Sequence, residues 1–204
     1  IRLLGIPRVK DRVVQAAIKL VLEPILDSTF SQSSFGFRPN RNQRQAIETA
    51  RQHVKDGKEY VVDIDLSKFF DRINHDKLIA KLSKHIDDKR VLRLIGKTLR
   101  CGVMTSRGFE PSTIGTTQGS PLSPLLSNVI LDELDKKLEL RGLSFVRFAD
   151  DCNIFVKTVK SAERVMGSIS KFIETKMKLV VNQEKSQVAK SNRVKFLGMT
   201  IVKD

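Results

Sequence analysis

Two apolar, β-branched runs in this chain carry aspartates where a buried strand has no use for a bare charge, and that conflict limits the folds open to it. Tyr60-Val61-Val62-Asp63-Ile64-Asp65-Leu66 reads as a buried strand, and Asp63 and Asp65, two apart, point to one face of it. Phe145 to Phe148 and Cys152 to Val156 are two further apolar runs separated by Ala149-Asp150-Asp151. They predict a hairpin with acidic residues at its tip. An unpaired buried carboxylate is costly, so these groups must meet a divalent cation, an arginine or backbone N–H groups. A polar turn would account for Asp150-Asp151 alone, and a paired structural charge for Asp63 and Asp65 alone. Together they suggest carboxylates on adjacent strands, able to hold two Mg²⁺ ions about 3.5–4 Å apart for phosphoryl transfer.

The flanking segments read mainly as helices. Residues 9–27 place Val13, Ala17, Val21 and Ile25 at near-helical spacing, and Pro24 is expected to kink or end that helix. After a loop around Phe35-Gly36-Phe37-Arg38-Pro39, a basic helix from about Gln43 to Val54 is apolar along Ala46, Ala50 and Val54 and is closed by Gly57. Asn74 and Asp87 are the expected N-caps of helices over about 75–85 and 88–100. Val103 to Ile114 reads as a hairpin turning at Arg107-Gly108. Ser120-Pro121 and Ser123-Pro124 open a long helix to about Leu140. A helix over about 161–177 and short strands near 179–181, 186–189 and 194–202 complete the order. This succession implies an α+β fold, with helices packed on one face of an antiparallel sheet.

Composition narrows the partners. Thirty-seven Lys and Arg against 23 Asp and Glu give a formal charge of +14, a field that attracts polyanions and above all nucleic acid. Charge alone does not separate an enzyme from a binding module. Cys101 and Cys152 lie far apart without metal-ligand spacing and fit a reducing, intracellular compartment, either bacterial cytoplasm or an organelle. His53, His75 and His85 form no close pair, which argues against zinc. No run of about eighteen apolar residues occurs, so no membrane partner is expected.

Several blocks, taken in order, resemble one family. Phe148-Ala149-Asp150-Asp151 is similar to the Tyr/Phe-X-Asp-Asp box of reverse transcriptases. Arg2-Leu3-Leu4-Gly5-Ile6-Pro7, Val9-Lys10-Asp11-Arg12-Val13-Val14-Gln15 and Phe35-Gly36-Phe37-Arg38-Pro39-Asn40-Arg41 resemble the fingers blocks of group II intron-encoded reverse transcriptases. Asp65-Leu66-Ser67-Lys68-Phe69-Phe70-Asp71-Arg72-Ile73-Asn74-His75 resembles the first palm motif, and Thr117-Gln118-Gly119-Ser120-Pro121-Leu122-Ser123-Pro124 the nucleotide-positioning motif. Asn182-Gln183-Glu184-Lys185-Ser186 and Phe196-Leu197-Gly198 resemble the last two palm motifs.

The resemblance implies a right-hand polymerase: a ferredoxin-like antiparallel palm sheet backed by helices. It places fingers over 1–58 and palm over 59–204, with a fingers-side insertion near 75–115. The chain begins inside a patterned segment and stops just after the last motif, so it is expected to be a fragment of fingers and palm without the thumb. By resemblance, Asp65, Asp150, Asp151 and the Leu66 carbonyl hold two Mg²⁺ ions, with Mn²⁺ a possible substitute, and Lys185 is the general acid. Phe70 would select the sugar, Gln118 and Gly119 would seat the incoming nucleotide, and Lys10, Arg12 and Arg2 would grip its triphosphate. Phe148, Ala149, Phe196, Leu197 and Gly198 would meet the primer. Asp63 is read as a supporting charge and Asp71 as a cap or ion-pair partner. The implied activity is RNA-directed DNA synthesis from dNTPs on a DNA primer, with a maturase role towards intron RNA. The alternatives are a splicing cofactor with an idle polymerase site, or a retron, diversity-generating or CRISPR-associated reverse transcriptase. Oligomeric state is left open, with self-association of an excised fragment one expectation.

Overall fold

The computed structural model describes residues 5–105, 108–117 and 119–202. They divide into two compact units, 1–30 with 68–130, and 31–67 with 131–204.

The second unit is built on a four-stranded antiparallel sheet. Its strands are β1 (Tyr60–Ile64), β4 (Ser144–Phe148), β5 (Asp151–Val156) and β6 (Gln187–Lys190), ordered β4-β5-β1-β6. Numbered by appearance within the sheet, that order is 2-3-1-4, the ferredoxin-like arrangement that the resemblance implies. Val61 and Phe155 are register partners, and their face packs on α2 (Gln43–Lys55) through Ala46, Ile47, Ala50 and Val54. Phe35, Val194, Phe196 and Ile201 complete that cluster. Alternation turns Val62, Ile64, Cys152 and Ile154 to the opposite face, where each is also buried, and α6 (Val159–Phe172) packs on β1, β5 and β6. The sheet is therefore covered on both faces rather than one. A strand with buried apolar residues on both faces, here Val61 on one and Val62 and Ile64 on the other, requires this.

The free edge of β4 is covered as well. Arg147 N–H donates to Ser33 O and Phe35 N–H to Arg147 O, both at 2.9 Å, a short parallel pairing that blunts the edge. Helix α2 starts where its capping box dictates: Asn42 Oδ1 accepts from Gln45 N–H, and the Gln45 side chain accepts from Asn42 N–H.

In the first unit, α1 (Val9–Asp27) is the predicted helix on an unpredicted face. It buries Gln15, Ile18, Leu22 and Leu26, whereas Val13 is 63% and Val21 65% exposed. Both stripes are spaced for a helix, so the sequence pattern does not choose between them. Pro24 neither ends nor interrupts the helix; it lies on the exposed side, where the carbonyl left without a donor faces solvent rather than the core. Helix α3 (His75–Leu82) is capped by Asn74 as expected. Helix α4 (Lys89–Leu99) is capped by Asp88, not Asp87, because Asp88 Oδ1 accepts from Arg90 N–H at 2.7 Å. Strands β2 (Val103–Thr105) and β3 (Gly108–Glu110) form the predicted hairpin, its Arg107 lying outside the described residues.

Helix α5 (Ser123–Leu140) begins at the second Ser-Pro pair rather than the first. Ser120 Oγ is committed to Gln15 Oε1 at 2.7 Å, which keeps that residue in the preceding loop. The helix predicted to 177 changes to a π turn over Ile173–Met177, and the strand expected at 179–181 is only a bridge between Val181 and Leu66. The last strands, β7 (Lys195–Phe196) and β8 (Met199–Thr200), form a tight hairpin. No helix among the described residues is long and apolar enough to cross a membrane.

Candidate active site

The acidic residues gather at one end of the central strand pair. In the β4–β5 hairpin Phe148 pairs with Asp151, leaving Ala149 and Asp150 as a two-residue loop. Ala149 has φ +56°, a left-handed conformation that costs a non-glycine residue about 1 kcal/mol. That geometry, with positive φ at the first loop position, matches the twist of paired strands and suits a two-residue hairpin. Gly36 presses on the loop from outside. A Cβ on it would lie 2.1 Å from Ala149 N and 2.9 Å from Phe148 C, so only glycine lets the backbones approach this closely.

Asp65 follows β1, one residue past the last register pair, Ile64 with Cys152. Its backbone is laced to the Asn182–Ser186 segment. Asp65 N–H donates to Ser186 Oγ at 3.1 Å, and Asn182 N–H donates to Asp65 O at 2.9 Å. Ser67 N–H donates to Val180 O at 2.8 Å. Those two backbone bonds flank the Leu66–Val181 bridge, so the Leu66 carbonyl itself is turned to the other side. Lys185 Nζ lies 3.9 Å from Asp65 Oδ2, with the side chains 62% and 32% exposed; a pair so long and wet is weak.

The carboxylates burden one another. Burial pushes the Asp151 carboxyl above the ordinary carboxylate range, and the neighbouring Asp150 and Asp65 charges add to that, with Lys185 opposing. Asp63, on β1, is pushed up to about 6, chiefly by burial, against a hydrogen bond from Gln187 and with Asp151 and Asp65 repelling it. One exposed lysine does not balance four aspartates, and a divalent cation would. Among the described residues no group of three or more His, Cys, Asp or Glu side chains is arranged to hold a metal ion by itself. Mg²⁺ does not require one, since it binds through one or two carboxylates with water and substrate phosphates filling the remaining positions. The donor set fits that ion.

Among the other residues singled out by sequence, Arg2 and Gln118 lie outside the described residues. Phe70 sits in a short 3₁₀ turn, Phe69–Arg72. Phe69 takes the core position, while Phe70 is only half-buried, its ring centroid 5.3 Å from that of Phe69 in an edge arrangement. Gly119 is exposed with φ +110°, just before the Ser120 that bonds Gln15 of α1. Lys10 and Arg12 are exposed on the first turn of that same helix. Phe148 packs on the α2 cluster and Ala149 is buried. Phe196 is buried too, which leaves Leu197 and Gly198, at φ +52° and +80°, as the turn of its hairpin. Gln43 Nε2 donates to Leu197 O at 2.7 Å and holds that turn.

Sequence reasoning missed three supporting groups. Gly36 was visible only as one letter of a motif, and Ser186 only as the end of another. Arg147, wholly buried beside the acidic loop, gave no signal beyond being a charge inside an apolar run.

Comparison with known proteins bears on the family and the fold. Residues 1–201 match the reverse transcriptase (RNA-dependent DNA polymerase) family. Protein YkfC of Escherichia coli K12 is 31% identical over an alignment of 242 positions, covering all of this chain and 64% of its own length. The group II intron-encoded protein LtrA of Lactococcus lactis subsp. cremoris is 32% identical over 187 residues, covering 92% of this chain and 30% of its own. The chain thus spans less than two thirds of either relative. In structure, apo telomerase from Candida tropicalis superposes with a TM-score of 0.71 at 16% identity, over 91% of this chain and 39% of that one, which shows a shared fold. Reverse transcriptases use divalent metals, and the acidic end of this sheet has the donors for one. By its sequence match over nearly its whole length and by its fold, the chain belongs to the reverse transcriptase family.

Proposed function

We propose that this chain is the catalytic core of an RNA-directed DNA polymerase of the group II intron type, extending a DNA primer on an RNA template. The observation that carries this reading is the convergence of Asp65 with the Asp150-Asp151 hairpin at one end of β1 and β5, where burial and mutual repulsion leave the charge uncompensated. Asp65, Asp150, Asp151 and the Leu66 carbonyl would hold two Mg²⁺, with Mn²⁺ as a substitute. When bound, these ions would lower the pKa of the primer 3′-hydroxyl and offset charge on the departing pyrophosphate. The 3′-hydroxyl gives up its proton to solvent, and its oxygen forms a bond to the α-phosphorus of the dNTP as the bond from that phosphorus to the α–β bridging oxygen breaks. The Lys185 ammonium passes a proton from Nζ to the pyrophosphate.

Gln118 and Gly119 seat the nucleotide, and Lys10, Arg12 and Arg2 hold its triphosphate. Phe148, Ala149, Leu197 and Gly198 meet the primer, with buried Phe196 setting the last turn. Fingers over 1–58 and palm over 59–204, with the insertion near 75–115, remain the assignment; that all four strands of the main sheet follow residue 58 supports it. A maturase role towards intron RNA follows from the kinship with LtrA and from the charge of +14. The test is Mg²⁺-dependent primer extension on RNA with dNTPs. RNA binding without extension by this chain or any longer parent would favour a splicing cofactor instead.

Two further results are expected. Phe70→Ala should relax discrimination against ribonucleotides by roughly 10–100-fold while sparing dNTP incorporation; unchanged discrimination would return Phe70 to simple packing. The second concerns pH. Without a cation, the Asp63 and Asp151 carboxyls favour the fold when protonated. The Asp63 contribution is full below the ordinary value of 3.8 and is lost as pH rises through about 6, and that of Asp151 is lost in the same direction. Mg²⁺ should therefore raise Tm clearly at pH 7.5 and little at pH 5. Equal shifts at both pH values would place the bound ion elsewhere.

A further inference from the structure

We propose that the buried Arg147–Asp135 pair is a positioning device that sets the peptide between Ala149 and Asp150 and so aims the Asp150 carboxylate; this rests on the reading of Asp150 as a metal-holding residue. Both side chains are 0% exposed. A buried ion pair is no efficient source of stability, since well-packed apolar residues often do as well or better. Its geometry shows what else it does. Arg147 Nε donates to Asp135 Oδ1 at 2.7 Å and Nη2 to Asp135 Oδ2 at 2.6 Å, a two-pronged grip that fixes the plane of the guanidinium. Nη2 also donates to Ser34 Oγ at 2.7 Å. Nη1 then donates to the Ala149 carbonyl, again at 2.7 Å.

That carbonyl is the informative contact. It belongs to the planar peptide joining Ala149 to Asp150, so holding its oxygen holds the plane from which the Asp150 Cα departs. Ala149 is also the loop residue at φ +56°. A non-glycine residue persists there only where its surroundings over-determine it. Gly36 closes the loop from one side, and the Arg147 guanidinium grips it from below. Asp135 lies on α5 between Leu134 and Leu138, both buried, so the grip is referred to a rigid helix. Asp135 neutralises the arginine, so the pair acts on Asp150 through position rather than through added field. Nothing in the family's motif letters predicts this: Arg147 precedes the acidic box, and Asp135 is twelve residues away in sequence.

The test compares wild type with the double variant Arg147→Met/Asp135→Leu, which removes both charges and keeps an apolar fill. Amide hydrogen exchange, Tm and steady-state primer extension are read together, with Asp150→Asn as the control. The double variant should fold. Its Asp150 and Asp151 amides should exchange at least about tenfold faster while β1 amides stay protected. Its kcat should fall roughly 10–100-fold, with KM for dNTP within about threefold. A folded double variant with wild-type exchange and kcat would overturn the proposal and leave the pair as packing alone. If the double variant does not fold, Arg147→Lys decides. Its single ammonium cannot span Asp135 and Ala149 O, so the same exchange and kcat pattern supports the proposal and wild-type values overturn it. Absence of any Asp150-dependent extension in wild type would sink the polymerase reading instead, and the exchange arm would still decide the tether.

Discussion

Asp150→Asn should abolish primer extension, lowering kcat/KM by about three orders of magnitude or more, while leaving the fold and RNA binding intact. The substitution keeps the size and shape of the side chain but removes the charge at a loop position flanked by strands on both sides. A metal ion supplies several kcal/mol of transition-state charge stabilisation, and about 4 kcal/mol corresponds to a thousandfold. Stability should move the other way or not at all. Asp150 repels the solvent-exposed Asp151, so neutralising it relieves a clash of like charges in the metal-free protein. A variant with unchanged or raised Tm, retained RNA binding and no extension separates chemistry from folding. Extension at near wild-type rate would remove Asp150 from the metal site and the present mechanism with it. The measurement should be made on the 204-residue chain and on any longer parent, because failure of the shorter chain alone would speak only to how well it grips primer and template.

Gly36→Ala is the second large effect, and it acts from outside the acidic cluster. The added Cβ would stand 2.1 Å from Ala149 N, 2.9 Å from Phe148 C and 3.0 Å from Ala149 Cα. All three are backbone atoms, so no side chain can swing away. The hairpin tip or the Phe35–Phe37 segment must move by an ångström or more. Overpacking of this kind costs typically about 1–3 kcal/mol, which for a chain of this size is a fall of about 2–12 °C in Tm. A shift near 1 Å in a catalytic group can cost about a hundredfold in rate. Gly36→Ala should therefore lower both Tm and kcat, whereas Asp150→Asn lowers only kcat. Wild-type kcat in a folded Gly36→Ala protein would show that the loop tolerates displacement.

Much of this was open to reading from residues alone. The helical spacing of Ala46, Ala50 and Val54 set the buried face of α2, while its Asn42 cap emerged only in the structure. The two apolar runs around Ala149-Asp150-Asp151 could hardly be anything but a hairpin, and a hairpin brings its tip residues to one place whatever surrounds it. Other features stayed ambiguous because two local answers were equally good. Helix α1 carries two apolar stripes, and only packing selected Ile18, Leu22 and Leu26 over Val13, Val21 and Ile25. Asp87 and Asp88 are equivalent as letters, and the Arg90 N–H chose the second. Residues 179–181 have strand-forming character, but one bridge to Leu66 was all that the geometry allowed.

By itself, then, the sequence determined most of the elements, their order and the family, and it singled out the carboxylates proposed for the chemistry, because periodicity, turn residues and motif spacing are local and survive in one dimension. Tertiary structure alone decided how those carboxylates are held. Asp65 depends on Ser186, which is 121 residues away. The Ala149-Asp150 loop depends on Gly36 and on the guanidinium of Arg147, which is itself fixed by Asp135 and Ser34. Such contacts join residues with no common period and no shared motif. They become visible only when the chain closes on itself, since a buried charge or a missing Cβ has meaning only in terms of what packs against it.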